Sequence, residues 1–226
     1  MTYNIQGEAA SRRTDHLDRI AEVIVEAGSD VVCLQEVHCR TRRATVDQGE
    51  ELAQLTGLNL SFGRSCAMDG GDYGNAILTR GEVTERNVCA LPGTGEPRSL
   101  MRSDVTLDGT SFSVFVTHLS AWGRLRRRER LEQIAKVAEV IDDAALPHVL
   151  AGDFNVSPHA EEIRALMSRA NLMATDPGRN ATFRLTRQRL DYVFCDPRWR
   201  VVRSEVLRRG PSDHWPLEVE LELEKR

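Results

Sequence analysis

The chain is almost without lysine: of its 30 basic residues only Lys136 and Lys225 are lysines, a skew that reads as the mark of a GC-rich coding genome. Aromatic residues are scarce too, at 5% of 226, and no hairpin rich in exposed aromatics suggests insertion into a membrane. No apolar run approaches the roughly 18 residues that span a bilayer. Met1 leads straight into Tyr3-Asn4-Ile5, without the basic and apolar regions of a signal peptide. These two absences predict a cytoplasmic protein. The five cysteines (Cys33, Cys39, Cys66, Cys89 and Cys195) are odd in number and hold no CxxC pair. A disulfide framework and a structural zinc are thereby disfavoured, and thiols in a reducing compartment are expected. An excess of positive charge is also missing. The net charge of −4 leaves no overall electrostatic footprint for a nucleic acid.

What is present suits a soluble globular core. Hydrophobic residues make up 41% and charged residues 28%, and the length with no evident linker predicts one domain over residues 1–226, expected as a monomer. Apolar periodicity predicts helices over residues 14–27, 50–56, 126–142 and 160–170. Strands are predicted over 2–5, 31–34, 58–63, 75–79, 82–90, 98–107, 111–117, 149–151, 190–194, 201–207 and 217–223, with Asp108-Gly109 turning a hairpin. Strands outnumber helices, and no repeat is visible. The expected architecture is a four-layer α/β/β/α sandwich, two packed mixed sheets flanked by helices.

The chemistry collects where apolar strands stop. Gly152-Asp153-Phe154-Asn155 follows the apolar Val149-Leu150-Ala151, and Asp153 and Asn155, two apart on an extended chain, are expected to point the same way. Asn4, Glu36, His118, Asp191, Asp213 and His214 occupy similar strand ends. A single such residue reads as a turn or cap; their joint occurrence points to a shared centre. Glu36 and Asn4 offer oxygen ligands suited to a hard cation such as Mg²⁺. Asp153 can orient or deprotonate water, His214 can donate to a phosphoryl oxygen or leaving group, and Asp191 can hold and charge the His214 ring. A cation, a carboxylate base and imidazole donors describe phosphoester hydrolysis.

Seven motifs occur in order: Tyr3-Asn4-Ile5, Gln35-Glu36-Val37, Tyr73-Gly74-Asn75, Thr117-His118-Leu119, Gly152-Asp153-Phe154-Asn155, Leu190-Asp191-Tyr192 and Ser212-Asp213-His214-Trp215-Pro216. Together they resemble the endonuclease/exonuclease/phosphatase superfamily, which includes deoxyribonuclease I, exonuclease III, neutral sphingomyelinases and inositol polyphosphate 5-phosphatases. The resemblance implies a deoxyribonuclease I-like sandwich and a Mg²⁺- or Mn²⁺-dependent hydrolase of phosphoesters. It implies that Glu36 is the chief metal ligand, with Asn4 beside it and Asp213 nearby. It further implies that Asp153 activates water and that Asn155 holds the phosphoryl group or that water. His118 and His214 would stabilise developing charge, Asp191 would orient His214, and Tyr73 and Asn75 would face the scissile phosphate.

Two positions depart from the pattern. Gln6 stands where nuclease relatives often carry an Asp, and Asn75 where some relatives carry the Glu that supports the first His. The substrate is a phosphoester whose identity the family does not choose. Trp122 and Arg124, close after His118, are the expected substrate contacts, Trp122 by stacking. The arginines from Arg126 to Arg130 read as the solvated start of a helix, with Arg130 paired to Glu129. A phosphodiesterase or phosphatase is the first reading and a nuclease acting on DNA or RNA the second; a silent binding module on the same fold is the third.

Overall fold

The computed structural model describes residues 1–11, 15–121, 123–176 and 180–224. The first half of the chain runs β1 (Thr2–Asn4), α1 (His16–Ala27), β2 (Val31–Cys39), α2 (Gln48–Thr56), β3 (Asn59–Met68), β4 (Gly71–Thr79), β5 (Glu82–Leu91) and β6 (Arg98–Leu107). The second half runs β7 (Thr110–His118), α3 (Arg127–Asp142), β8 (His148–Asp153), α4 (Glu161–Arg169), β9 (Met173–Ala174), β10 (Asp191–Cys195), β11 (Trp199–Val206) and β12 (Leu217–Leu223).

Alternation along single strands explains the layering. In β2, Val32 and Leu34 turn outward to pack with Ile20 and Ile24 of α1 and Leu52 of α2. Cys33, between them, turns inward against the second sheet, among Ile77, Val116, Ala151 and Val193. In the second sheet Phe115, Leu150 and Phe194 pack outward on Ile134 and Val137 of α3 and Ile163 and Leu166 of α4. The result is helices, sheet, sheet, helices, the expected sandwich. At the end of α1, Gly28 adopts φ 66° and donates back to the carbonyls of Ile24 and Val25, which stops the helix where β2 must begin.

The first sheet has the order β11-β12-β1-β2-β4-β3 and the second β5-β6-β7-β8-β10-β9. Adding six to a strand number, counted around twelve, converts one order into the other. Each sheet has one parallel pair at its centre, β1 with β2 and β7 with β8, and each borrows an edge hairpin from the opposite half of the chain. This topological repeat is absent from the residue pattern.

Most element bounds agree with expectation to a few residues. The hairpin of β3 and β4 extends beyond it on both sides of its turn, to Met68 and back to Gly71, because its far end is too polar to read as buried strand. The 3₁₀ helix Gly7–Ser11 and the two-residue β9 were not anticipated. Residue 14, expected to start the first helix, lies outside the described residues. All five cysteines are free. Among the described residues no helix is long and apolar enough to cross a membrane.

Candidate active site

Register brings the first part of the centre together. Parallel pairing sets His118 opposite Asp153, and antiparallel pairing sets Asp191 opposite Asp153, so three adjacent strand ends carry one row of functional groups. Gly152 makes this approach feasible: at φ 151°, a Cβ there would lie 1.9 Å from the carbonyl oxygen of Thr117. Beyond Asp153 the chain leaves the sheet. Asn155 is left-handed (φ 54°), its backbone N–H donates to Asp153 Oδ1 at 2.9 Å, and its Nδ2 donates to the Leu119 carbonyl at 3.0 Å. The expected strand-like alternation of Asp153 and Asn155 therefore gives way to a tight turn, and one N–H of the Asn155 amide is spent on the backbone.

The first sheet supplies the facing groups. Glu36 sits at φ 60° where the pairing of β2 with β4 slips between Leu34 and Val37. This bulge re-aims its carboxylate out of the strand's alternation. Asn4, at the end of β1, donates from Nδ2 to Glu36 Oε1 at 2.9 Å and to Asp153 Oδ2 at 3.1 Å. Its Oδ1 accepts the Gln6 backbone N–H at 3.0 Å, which assigns the amide's orientation. One short side chain thus ties two carboxylates from opposite sheets.

His214 enters from the segment before β12. Ser212 Oγ donates to the Asn4 carbonyl at 2.7 Å and accepts the His214 backbone N–H at 3.1 Å, fixing that segment to the first sheet. The ring's Nδ1 lies 2.8 Å from Asp191 Oδ2 and its Nε2 3.6 Å from Asp153 Oδ2, with the Phe183 ring packed alongside at 4.9 Å. His118 Nε2 lies 3.6 Å from the same Asp153 oxygen.

The electrostatics separate these groups. Burial raises the Asp153 carboxyl to about 7, reinforced by the Asp191 charge and opposed by His214 and the hydrogen bonds from Asn155 and Asn4. For His214, burial favours the neutral ring, but Asp191 and Asp153 outweigh it and hold the imidazolium up to about 10. His118 is pushed well below the usual imidazole range by burial and by the neighbouring charges of Arg98 and His214. Burial also raises Glu36, and Asp213 adds to this against the Asn4 hydrogen bond.

The remaining expected residues are placed unevenly. Tyr73 is buried, and the charges of Glu36 and Arg98 both act on its hydroxyl. Asn75 is buried with its Nδ2 3.4 Å from the Ser99 carbonyl at the start of β6, and among the described residues it forms no hydrogen bond to Asp153 or either imidazole. Asp213 is half-buried and acts on Glu36 through its charge. Arg124 is exposed and pairs with no acidic group among the described residues, and Trp122 lies outside the described residues. Arg130 pairs with Glu162 in the protein interior, not with Glu129 as expected, because α3 turns its buried face towards α4. Glu129 instead accepts from Ser120 and Arg126. Arg98 was missed: its side chain is 10% exposed, and its Nη1 lies 3.0 Å from His118 Nδ1 and 2.9 Å from Glu96 Oε1. A lone arginine opening a strand carries no spacing signal.

The donor set fits a hard divalent cation. Glu36 and Asp213 are neighbouring oxygen donors that form no salt bridge among the described residues, and such groups match Mg²⁺ or Mn²⁺ better than a soft metal. Asp153, Asp191 and His214 also bring ligand atoms within 4.8 Å of one another. There, however, His214 Nδ1 and Asp191 Oδ2 are committed to their mutual hydrogen bond. Glu36 is therefore the better anchor.

Fold and site define a class: a four-layer α/β sandwich with an aspartate–imidazole–asparagine centre at the strand ends of two facing sheets. The chain belongs to the Endonuclease/Exonuclease/phosphatase family, whose model matches residues 1–214. Members of this family are hydrolases of phosphoesters and generally depend on a divalent metal. The uncharacterised protein YbhP of Escherichia coli K12 is 27% identical over 247 aligned positions, covering 99% of this chain and 95% of its own length. An endonuclease/exonuclease/phosphatase structure from Beutenbergia cavernae superposes with a TM-score of 0.81 at 28% identity, covering 98% of this chain and 70% of that one. A mannosyl-6-phosphatase of Bacteroides thetaiotaomicron shares the fold, with a TM-score of 0.79 at 23% identity and 98% of each chain covered.

Proposed function

We propose that the protein is a Mg²⁺- or Mn²⁺-dependent phosphoesterase that hydrolyses a phosphodiester or phosphomonoester by in-line attack of water. The observation that carries this reading is the convergence on Asp153 Oδ2 of Asn4 at 3.1 Å and of both imidazoles at 3.6 Å. Asp153 takes the proton from the attacking water, and a carboxylate raised to about 7 suits that task near neutrality. His214, kept cationic by Asp191, meets the charge that grows on the phosphoryl oxygens or the leaving group, while His118 donates a neutral hydrogen bond. Asn155, tied to Asp153 and Leu119, sets the floor on which the phosphoryl group rests. Glu36, with Asp213 nearby, would hold the cation; Asn4, expected as an oxygen ligand, gives its Oδ1 to the Gln6 N–H and instead orients the Glu36 carboxylate from Nδ2. When bound, the cation supplies Lewis-acid polarisation of a phosphoryl oxygen.

A small phosphoester is favoured over a nucleic-acid strand. Arg126, Arg127, Arg128 and Arg130 are paired with Glu129, Glu161, Glu132 and Glu162, so they form no free stripe for a phosphate backbone. The test is a panel of bis-(p-nitrophenyl) phosphate, p-nitrophenyl phosphate, sugar and inositol phosphates, nucleotides, sphingomyelin, DNA and RNA, with Mg²⁺ or Mn²⁺ and with Asp153→Ala as the blank. Turnover lost to a chelator and reduced about 10³-fold or more in Asp153→Ala supports the reading. A chelator-insensitive rate, or a near-normal Asp153→Ala, overturns it.

A further inference from the structure

His118 and His214 flank Asp153 symmetrically, yet their second ring nitrogens meet opposite partners. Behind His214 stands a carboxylate, Asp191, which accepts from Nδ1–H and favours the imidazolium. Behind His118 stands a guanidinium, with Arg98 Nη1 3.0 Å from Nδ1. Arginine has five N–H donors, no acceptor, and keeps its charge throughout the accessible pH range. A hydrogen bond at that distance therefore requires a lone pair on His118 Nδ1. The proton of the neutral ring then resides on Nε2, the nitrogen that faces Asp153.

Arg98 is itself held on several sides. Glu96 Oε1 lies 2.9 Å from its Nη1, the buried Tyr73 stands close enough to feel its charge, and Asn75 Nδ2 lies 3.4 Å from the adjacent Ser99 carbonyl. Thr117, the residue before His118, donates from Oγ1 to the same Ser99 carbonyl at 3.0 Å. The start of β6 and the end of β7 are thus pinned to one point, which sets the Arg98 side chain beside Nδ1. This also assigns a task to Tyr73 and Asn75: they support the arginine.

We infer that Arg98 is a positioning residue that locks His118 as the neutral Nε2–H tautomer, giving the centre one fixed neutral donor across Asp153 from His214. The inference rests on the proposed phosphoesterase reading only for its catalytic consequence; the tautomer itself is a property of the free protein. A neutral donor at this place binds a phosphoryl oxygen without pairing with Asp153 as an ion, so the base keeps its proton affinity. An imidazolium on both sides would draw Asp153 down and weaken it as a base.

Nitrogen-15 NMR of the imidazoles tests the tautomer without reference to activity. His118, assigned by comparison with His118→Gln, is expected to show an unprotonated Nδ1 and a protonated Nε2 at pH 7. Arg98→Lys, also donor-only, is expected to keep that pattern, whereas Arg98→Glu is expected to move the proton to Nδ1 or charge the ring. A protonated Nδ1 in the wild type, or an unchanged spectrum in a folded Arg98→Glu, overturns the inference. On the most active substrate of the panel, Arg98→Met is expected to lower kcat about 10²-fold with little change in KM, and Arg98→Lys to recover most of it. In a His118→Gln background, Arg98→Met is expected to cost little more, since both act through one group; a full additional loss would mark Arg98 as structural. Failure to find any turnover while the NMR pattern holds would sink the phosphoesterase reading and leave the tautomer assignment standing.

Discussion

Asp191 Oδ2 and His214 Nδ1 form a 2.8 Å hydrogen bond between the two sheets, one partner opening β10 and the other lying just ahead of β12. Both side chains are buried, and the bond turns the ring's Nε2 to Asp153. It is the contact by which a loop of one sheet is charged by a strand of the other.

Removing that charge has a defined result. Asp191→Asn is expected to lower kcat by about 10²–10⁴-fold, since the amide neither stabilises the imidazolium nor enforces the correct tautomer. The alkaline limit of activity is expected to fall from near pH 10 towards neutrality. Steady-state kinetics across pH checks both; an unchanged alkaline limit would show that Asp191 does not set the charge of His214.

The pH profile of the wild type follows from two groups. Asp153 must be deprotonated to act as a base, and its carboxyl is raised to about 7, so kcat/KM is expected to rise with pH through about 7. His214 must stay protonated, and it loses its proton only near 10, so activity is expected to fall above that. Saturating Mg²⁺ is expected to move the acid limb lower, because a nearby cation favours the carboxylate. An activity that declines as pH rises through 7 would contradict the assigned base.

Stability follows the same proton. The folded protein raises His214 to about 10 from its ordinary 6.5, so it holds a proton that the unfolded chain has released. This contribution is fully present below about pH 6.5 and is lost as pH rises through about 10. The gap in Tm between wild type and Asp191→Asn is therefore expected to be wide near pH 6 and to close towards pH 10. A gap that widens with pH would reverse the assigned sign.

The arginine run offers a test of stability, read by unfolding and not by turnover. Arg130 and Glu162 are 3% and 4% exposed at their side chains, and Arg130 also donates to the carbonyls of Ser120 and Gly123. Arg130→Ala strands a buried carboxylate and is expected to cost about 3–5 kcal/mol in chemical denaturation. The double variant Arg130→Met, Glu162→Leu is expected to recover much of that loss. Equal destabilisation by both would assign the cost to packing and the backbone contacts.

Much of the centre was legible because its residues stand where apolar runs stop. Asp153, His118 and Asp191 end or open strands whose buried residues alternate cleanly, and β6 and β12 were read with the bounds found. What escaped depends on contacts between distant segments. Arg98 gains meaning only when β6 pairs with β7, twenty residues on. Arg130 was matched with its neighbour in sequence, while its partner lies 32 residues away on another helix. Asn75 shares a motif with Tyr73, but its amide is drawn to the Ser99 carbonyl, and no local pattern foretells that. The bulge at Glu36 likewise arises from mispairing with β4, which a strand read alone does not reveal.

The exchange of edge hairpins has a consequence for how such a centre comes into being. β5 and β6 leave the first half to join the second sheet, and β11 and β12 leave the second half to join the first. Arg98 travels with one hairpin to reach His118; His214 arrives with the other, on a segment that Ser212 ties to Asn4. Each half therefore donates an arm across the divide: His118 lacks Arg98 until the β5–β6 arm docks, and His214 lacks Asp191 until the β11–β12 arm docks. The complete centre is therefore a property of the two halves clasped together, and neither half carries it alone.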